Sequence, residues 1–156
     1  CPPETLKTAC DSMVQLNAIG WQAAQAVGGV HAITDITGFG LCGHAFEMAD
    51  GSKVTIVIDV NALPLLPGAE LLTKYRTRAS KTNREYVQAH VKLEGQIDPV
   101  REEFLWDAQT SGGLLISVEA AKAEALVEEA RKRGASRAMI VGEVQAQQNY
   151  ALAFRG

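Results

Sequence analysis

Residues 33–44, with the sequence Ile-Thr-Asp-Ile-Thr-Gly-Phe-Gly-Leu-Cys-Gly-His, constrain the fold more than any other part of the chain. The β-branched residues at the start predict a strand, the glycines predict a tight turn, and the pattern from Phe39 to Met48 predicts a helix. A strand that turns through glycine into a helix directs backbone N–H groups and a helix N-terminus at one point. Such a point favours an anion such as phosphate.

Asp35 stands where this predicted strand meets the turn. A carboxylate repels phosphate unless a cation lies between them, and Mg²⁺ is usually bound by one or two carboxylates together with substrate phosphates. Asp35 is therefore a candidate Mg²⁺ ligand. The alternative is a strand-end aspartate that caps the turn by accepting backbone hydrogen bonds. The residues alone leave both roles open, and we expect the neighbouring Phe39 to lie in the core.

Composition and charge exclude several classes of protein. The 156 residues suffice for one domain with a core, and 47% hydrophobic and 21% charged residues are ordinary for a soluble globular protein. A net charge of −3 provides no basic field for nucleic acid. The apolar runs are too short to cross a membrane, and no signal peptide is visible. We therefore expect neither nucleic acid nor a membrane as a partner.

The cysteines and the chain start also bear on location and completeness. Three cysteines without a Cys-x-x-Cys pair fit a reducing compartment, so we expect a cytoplasmic protein. Cys42, within the predicted helix, is expected to be buried and inert. The first residue is Cys1 rather than methionine and a helical pattern begins almost at once, which indicates a piece of a longer protein or a processed N-terminus.

The periodicity predicts an α+β fold with a mixed sheet of four or five strands and helices packed on it. Helices are predicted from Pro3 to about residue 16 and over residues 21–27, 39–49, 69–75, 98–105 and 119–133. Strands are predicted over residues 30–36, 54–60, 114–118, 138–144 and 150–154, the last two joined as a hairpin. Residues 76–97, which are basic between Arg76 and Arg84, are expected to form a long surface loop with at most a helical turn near residues 85–91.

Residues 109–113, Gln-Thr-Ser-Gly-Gly, form a second glycine-rich turn. It can bind an anion through its backbone amides, or it can be an ordinary helix-to-strand connection. Asp107, just before it, can cap a helix, pair with a basic residue or face a nucleotide, and capping is the role we expect.

Residues 34–44 and 107–116 together resemble the two signature stretches of the selenophosphate synthetase family, also called selenide, water dikinase. Residues 58–59 and 63–68, which lie between them, also resemble that family. Order and spacing agree through the last residue. The resemblance covers essentially the whole chain, but only the C-terminal part of that enzyme.

The resemblance implies an activity and a fold. The family makes selenophosphate from selenide, ATP and water and releases AMP and orthophosphate, and it shares a superfamily with aminoimidazole ribonucleotide synthetase. The fold implied for residues 1–156 is that superfamily's C-terminal α+β domain. An N-terminal domain, absent from this chain, would supply most of the ATP site, two more metal-binding aspartates, a catalytic lysine and a reactive cysteine or selenocysteine. It would also form most of the contact in a homodimer.

The resemblance assigns one site residue directly, because Asp35 matches the family's Mg²⁺-binding aspartate. Thr37, Gly38 and Gly40 match the motif that shapes the loop around the metal and are the candidate nucleotide-binding residues. The second motif is matched by Thr110, Ser111, Gly112 and Gly113. The chain departs from the family at Ala108, where proline is common, and it lacks a glycine pair before Asn83. No catalytic residue is implied in this chain, so we expect it to be inactive alone.

Two alternatives remain. The chain can belong to another enzyme of the superfamily, such as a hydrogenase-maturation or thiamine-phosphate kinase-like protein, although residues 39–41 and 109–113 disfavour this. It can also be a non-catalytic binding or dimerisation module, which the presence of Asp35 disfavours.

Overall fold

The structure is a computed structural model that describes residues 1–75 and 77–156. The α-helices are α1 (Pro3–Met13), α2 (Ala18–Val27), α3 (Gly40–Ser52), α4 (Arg78–Val87), α5 (Pro99–Trp106) and α6 (Ala123–Lys132). The strands are β1 (Val30–Asp35), β2 (Val54–Asp59), β3 (Val91–Glu94), β4 (Leu114–Val118), β5 (Gly142–Ala146) and β6 (Leu152–Arg155). Short 3₁₀ helices occupy Val60–Ala62, Ala69–Leu72, Gln88–His90 and Ala120–Lys122.

The strands form two sheets. β1 and β4 pair antiparallel, with Asp35 opposite Leu114. The other four lie in the order β3-β6-β2-β5, where β6 is parallel to both β3 and β2 while β5 is antiparallel to β2. The predicted α+β fold with a mixed four-stranded sheet is thus confirmed. Within the described residues, no helix is both long and apolar enough to span a membrane.

Two groups of buried side chains hold these layers together. The larger joins the four-stranded sheet to α3 and α5, with Ile58, Leu105 and Phe154 at its centre. In the smaller group, Ala23 and Ala24 of α2 pack on the apolar stripe of α6. Helix α3 contacts strands of both sheets, so the glycine turn that begins it is anchored between them.

Strand β2 is covered on both of its faces, as its unbroken run of β-branched residues predicts. Residues 55–58 are all buried. The helix boundaries differ slightly from the predicted ones. α2 begins three residues earlier, at Ala18, and residues 69–72 form a 3₁₀ rather than an α-helix.

The prediction of a loop over residues 76–97 is wrong for most of the described part, since α4 and β3 lie there; Arg76 itself lies outside the described residues. The buried face of α4 consists of Ser80, Asn83 and Val87. These residues have helical spacing, but two of them are polar, so the hydrophobic pattern did not reveal the helix. Thr77 caps the helix, because its hydroxyl accepts a hydrogen bond from the Ser80 amide at 3.1 Å.

The predicted hairpin of the last two strands is also wrong. β5 and β6 lie on opposite sides of β2, so the connection between them crosses the start of β2. Thr55, which is fully buried, holds this crossing. Its hydroxyl donates to the Tyr150 carbonyl at 2.8 Å and accepts from the Gln148 amide at 2.9 Å. The residues between β5 and β6 therefore form hydrogen bonds with the buried Thr55 hydroxyl and do not form the turn of a β-hairpin.

Replacement of Thr55 by valine keeps the shape but removes both hydrogen bonds of the crossing. We expect the free energy of unfolding of the 156-residue chain to fall by about 1–3 kcal/mol, because polar backbone groups lose their partners. Urea unfolding measures this. Thr82→Val is the matched control, since the exposed Thr82 hydroxyl bonds only to the Arg78 carbonyl of its own helix. Equal losses in the two variants would contradict the assignment.

Candidate functional site

Asp35 is the last residue of β1 and is exposed. Within residues 1–75 and 77–156 its carboxylate accepts no hydrogen bond and forms no ion pair. Asp59, the last residue of β2, behaves differently, since its Oδ1 accepts a hydrogen bond from the Asn61 amide at 2.8 Å. The structure therefore gives the turn-capping role to Asp59 and leaves the oxygens of Asp35 available to an external ligand.

Asp35 forms part of the wall of a shallow concavity of about 440 Å³. Asn17 and Trp21 of the α2 region and Leu114 of β4 also contribute to it. The Trp21 side chain is half exposed. The carboxylate is thus set beside an aromatic surface, at the end of a paired strand that fixes its backbone.

The two glycine-rich segments predicted to form the site lie against each other. The Ile36 amide donates to the Gly113 carbonyl, and the Gly112 amide donates to the Ile36 carbonyl, both at 2.9 Å. The Thr37 carbonyl accepts from the amides of Gly40 at 2.9 Å and Gln109 at 3.0 Å. These bonds continue the β1–β4 pairing past the strand ends, so each segment holds the other in place.

Gly40 and Gly38 play different parts in this turn. Gly40 has a φ of +67°, and a Cβ there would lie 2.6 Å from the Asp107 carbonyl oxygen. Only glycine fits such a close approach without strain. Gly38 lies outside the left-handed region, and no atom of the described residues lies within 4 Å of where its Cβ would be. Of these two glycines, the backbone of the turn therefore requires only Gly40.

The side chain of Thr37 already has a partner inside the protein. Its hydroxyl lies 3.0 Å from Nε2 of His44, one turn into α3. The His44 side chain is only 11% exposed, and its Nδ1 lies 3.6 Å from Glu47. Thr37 therefore ties the turn to the helix that follows it. Ligand contact by its hydroxyl would require this bond to be shared.

Asp107 stands at the C-cap position of α5, and its side chain is held by helix α4. Its half-buried carboxylate accepts a hydrogen bond from the Ser80 hydroxyl at 3.1 Å, and that hydroxyl lies 2.9 Å from the Thr77 hydroxyl. Burial raises the pKa of the Asp107 carboxyl, and the bond from Ser80 opposes the rise. Of the three roles considered from the sequence, capping holds only for the position of Asp107, because in the described residues its carboxylate accepts from Ser80 and not from a backbone amide.

The second turn and Asp35 open to different sides. Residues 109–113 line a larger groove of about 2150 Å³, together with Asp107 and apolar side chains of β4. Asp35 lines only the smaller concavity among the two. The backbones of the two segments meet, but their polar side chains do not form a single pocket within the described residues.

Asn83 is the main residue that sequence reasoning missed. Its side chain is 5% exposed. Its amide nitrogen donates to the carbonyls of Gly38 at 2.9 Å and Trp106 at 3.0 Å. The Thr77 cap and the spacing of residues 80, 83 and 87 were the available signals for a helix with a buried polar face.

Of the remaining predictions about individual side chains, one is confirmed and one is wrong. Cys42 is fully buried, so the expectation that it is buried is confirmed, and burial raises the pKa of its thiol well above the usual range. Phe39 was expected in the core, which is wrong, because it is 49% exposed. Its ring lies 5.9 Å from that of Tyr86 and 5.7 Å from that of His44, on the outer surface of α3 and α4.

The basic stretch is partly internal. Arg84 pairs with Glu102, and its guanidinium lies 5.1 Å from the centre of the Trp106 ring. Lys81 remains exposed, 3.8 Å from Glu85.

No group of three or more His, Cys, Asp or Glu side chains in the described part could hold a metal ion. The described residues therefore provide no complete metal site of three such side chains.

Alanine substitutions separate the two glycines. Gly40→Ala should lower the free energy of unfolding by about 1–3 kcal/mol, because it combines a left-handed backbone with a contact on Asp107. Gly38→Ala should leave it unchanged or raise it by up to about 1 kcal/mol, since the added methyl meets open space and the unfolded chain loses freedom. Urea unfolding of both variants tests this, and a destabilised Gly38→Ala would show that the turn is described wrongly.

Proteins of known structure share this fold. One is the hydrogenase maturation protein HypE, with a TM-score of 0.54 and 20% sequence identity. The match covers 85% of this chain and 34% of the HypE chain. At that identity the match shows the fold alone.

Curated relatives match more closely in sequence. A selenide, water dikinase from Caldanaerobacter subterraneus subsp. tengcongensis is 41% identical over 157 residues, which cover 99% of this chain and 45% of the relative. One from Rhizobium meliloti is 40% identical over 147 residues, covering 93% of this chain and 42% of the relative. The chain thus spans less than half the length of these relatives. They confirm the resemblance that residues 34–44 and 107–116 indicated.

The family match extends over nearly the whole chain and includes both glycine-rich segments. Residues 7–155 match the family described as AIR synthase related protein, C-terminal domain. The HypE-like fold, the paired glycine segments and this match agree. The chain belongs to the C-terminal domain family of AIR synthase related proteins.

Proposed function

We propose that this chain is the C-terminal domain of a selenide, water dikinase and that it contributes Asp35 as one ligand of an ATP-bound Mg²⁺. The whole enzyme would convert selenide, ATP and water to selenophosphate, AMP and orthophosphate. The observation that carries the proposal is the exposed Asp35 carboxylate, which has no partner in the described residues and ends a strand beside the glycine turn. Relatives about 40% identical over nearly the whole chain bear that enzyme name.

The residues present fit Mg²⁺ in a limited way. The ion takes oxygen ligands, keeps several waters and is usually held by one or two carboxylates plus substrate phosphates. Asp35 offers one such carboxylate, and no cluster of candidate ligands surrounds it in the described part. When bound, the ion neutralises charge on the phosphates. Asp35 would hold that ion, while the turn of residues 36–40 keeps the carboxylate in place.

Thr37, Gly38 and Gly40 would lie near the nucleotide for different reasons. Gly38 leaves open space beside the turn, which favours the approach of a phosphate. Gly40 allows the turn to press against Asp107. Thr37 would act through its backbone, since its hydroxyl lies against His44.

A further domain would complete the site. The chain spans less than half of its relatives, and α1 has no buried residue. Leu6 on α1 is 53% exposed, and Val14 and Leu16, just after it, are 76% and 73% exposed. Such apolar side chains favour contact with another part of the protein. We propose that residues 1–156 form one C-terminal domain, and that an N-terminal domain supplies most of the ATP site, the selenide chemistry and the homodimer contact.

Cys1 and Cys10 are exposed, but neither lies in the motif of the reactive residue, which we place in the N-terminal domain. We also propose a cytoplasmic location, since the three cysteines of the described residues are all unpaired. The net charge of −3 supports a protein without nucleic-acid partners.

The alternatives are less well supported. The hydrogenase-maturation relative is 20% identical, whereas the selenide, water dikinases are about 40% identical over almost the entire chain. The exposed Asp35 carboxylate, which has no partner in the described residues, favours a metal ligand over a binding module without catalytic function.

Asp35→Asn in the full-length enzyme should abolish Mg²⁺-dependent turnover while leaving the thermal midpoint within about 2 °C. The two side chains are nearly isosteric, but Mg²⁺ requires anionic oxygen. Selenide-dependent AMP formation and thermal unfolding are measured on the same sample. Asp59→Asn is the matched control, because Asp59 also ends a strand but caps a backbone amide. Because an asparagine oxygen accepts the same hydrogen bond, this variant should lose less than about 0.5 kcal/mol of stability and retain turnover. Retained activity in Asp35→Asn would overturn the metal assignment.

The 156-residue chain by itself should form no AMP from ATP and selenide, because one carboxylate and a glycine turn cannot supply the nucleophile or grip the phosphates. The measurement is AMP release with Mg²⁺, ATP and selenide, with full-length enzyme as the positive control. Turnover comparable to that enzyme would contradict the domain assignment.

A further inference from the structure

Helix α4 lies against the backbone on both sides of the candidate site. Asn83 is 5% exposed and uses its amide nitrogen twice, on the Gly38 carbonyl at 2.9 Å and the Trp106 carbonyl at 3.0 Å. Gly38 belongs to the turn that follows Asp35. Trp106 ends α5 just before Asp107. One buried side chain therefore joins the flank of the first glycine segment to the flank of the second.

The neighbouring residue on the same face strengthens this connection. Ser80, one turn earlier, donates its hydroxyl to Asp107 at 3.1 Å. The Cα of Gly40 approaches the Asp107 backbone so closely that no Cβ fits between them. The turn is thus pressed against residues 106–107 on one side and tied to α4 on the other. A buried amide that satisfies two carbonyls resists displacement, since a move of either segment leaves a polar group without a partner.

We propose that Asn83 is a positioning residue for the Asp35 site, which it serves by fixing the turn of residues 36–40 against the end of α5. Asn83 has no contact with the ligand in this proposal and acts through the Gly38 backbone. The inference rests on the proposed role of Asp35. It adds that α4, which the sequence pattern presented as a basic loop, sets the direction in which the carboxylate meets the metal.

The first test measures the turn without any ligand. In the 156-residue chain, the amides of Gly40 and Gln109 both donate to the Thr37 carbonyl. Asn83→Ala should speed hydrogen exchange at these two amides at least tenfold more than Thr55→Val does. Thr55→Val is the control because it removes two buried hydrogen bonds to Gln148 and Tyr150, away from the turn. Equal exchange rates in the two variants would overturn the positioning role whatever Asp35 does.

The second test separates positioning from stability in the full-length enzyme. Asn83→Ala should lower kcat about 10- to 100-fold, as expected for small misplacement of a group that holds the reacting phosphates. The Mg²⁺ concentration at half-maximal rate should rise at least threefold. Thr55→Val should lower the thermal midpoint by a similar amount but leave the Mg²⁺ requirement unchanged. Ser80→Ala should raise the Mg²⁺ requirement by less than Asn83→Ala does but by more than Thr55→Val does. It removes the hydrogen bond to Asp107 but keeps the bond from Asn83 to the Gly38 carbonyl.

Each outcome has a distinct meaning. If Asp35→Asn abolishes turnover but Asn83→Ala leaves the Mg²⁺ requirement unchanged, the positioning proposal is wrong while the proposed function stands. If Asn83→Ala speeds exchange at Gly40 but Asp35→Asn is fully active, the proposed function fails while the structural part of the inference stands. Should Asn83→Ala not fold, Asn83→Ser, which keeps a single donor, replaces it in both tests with the same expected directions.

Discussion

The hydrogen bonds between residues 36–37 and residues 109–113 are the constraint on which the candidate site depends. They extend the antiparallel β1–β4 pair beyond its strands, so two loops that would otherwise be independent become one unit. Loop backbones carry polar groups that need partners, and here each glycine segment supplies those of the other. Asp35 stands at the junction of the regular pair and this extension. The backbone of Asp35 is therefore held by these bonds, while its carboxylate has no side-chain contact of its own in the described residues.

The Asp35 side chain differs from those of two other aspartates that stand at the boundaries of helices and strands. Asp59 and Asp98 also stand at the ends of elements or just before them, and both accept hydrogen bonds from backbone amides. Those bonds account for the presence of an aspartate at each place. Asp35 has no comparable bond within the described residues, so local structure does not account for its carboxylate. The metal ion that we propose between this group and phosphates would account for it.

Most of the site was predictable because its signals are local. The strand, the glycine turn and the helix follow from residue types over residues 33–44, and the β-branched run of residues 54–60 correctly predicts a strand covered on both faces. Even so, the sequence did not distinguish the two glycines. The need for glycine at position 40 comes from the Asp107 backbone, which is 67 residues away along the chain. No local pattern contains that contact.

The two failures of the fold prediction, the loop over residues 76–97 and the hairpin of β5 and β6, share a physical cause, since each involves a buried polar group with distant partners. Helix α4 has a buried face of Ser80, Asn83 and Val87, so its amphipathic pattern is carried by residues that hydropathy counts as exposed. The β5–β6 connection resembles a hairpin in sequence, but buried Thr55 binds its backbone and β2 takes the central place. A hydrophobic pattern records which side chains avoid water. It does not record polar side chains that leave water for specific partners.

That distinction also explains why the site can be both rigid and open. The groups that fix the turn, such as Asn83 and Ser80, are turned inward and satisfied by backbone or by Asp107. The groups offered outward are the Asp35 carboxylate and the open space at Gly38. The bonds that hold the turn therefore lie behind it, and among residues 1–75 and 77–156 no side chain binds the Asp35 carboxylate. Such a division suits phosphoryl transfer, in which positioning and charge neutralisation dominate.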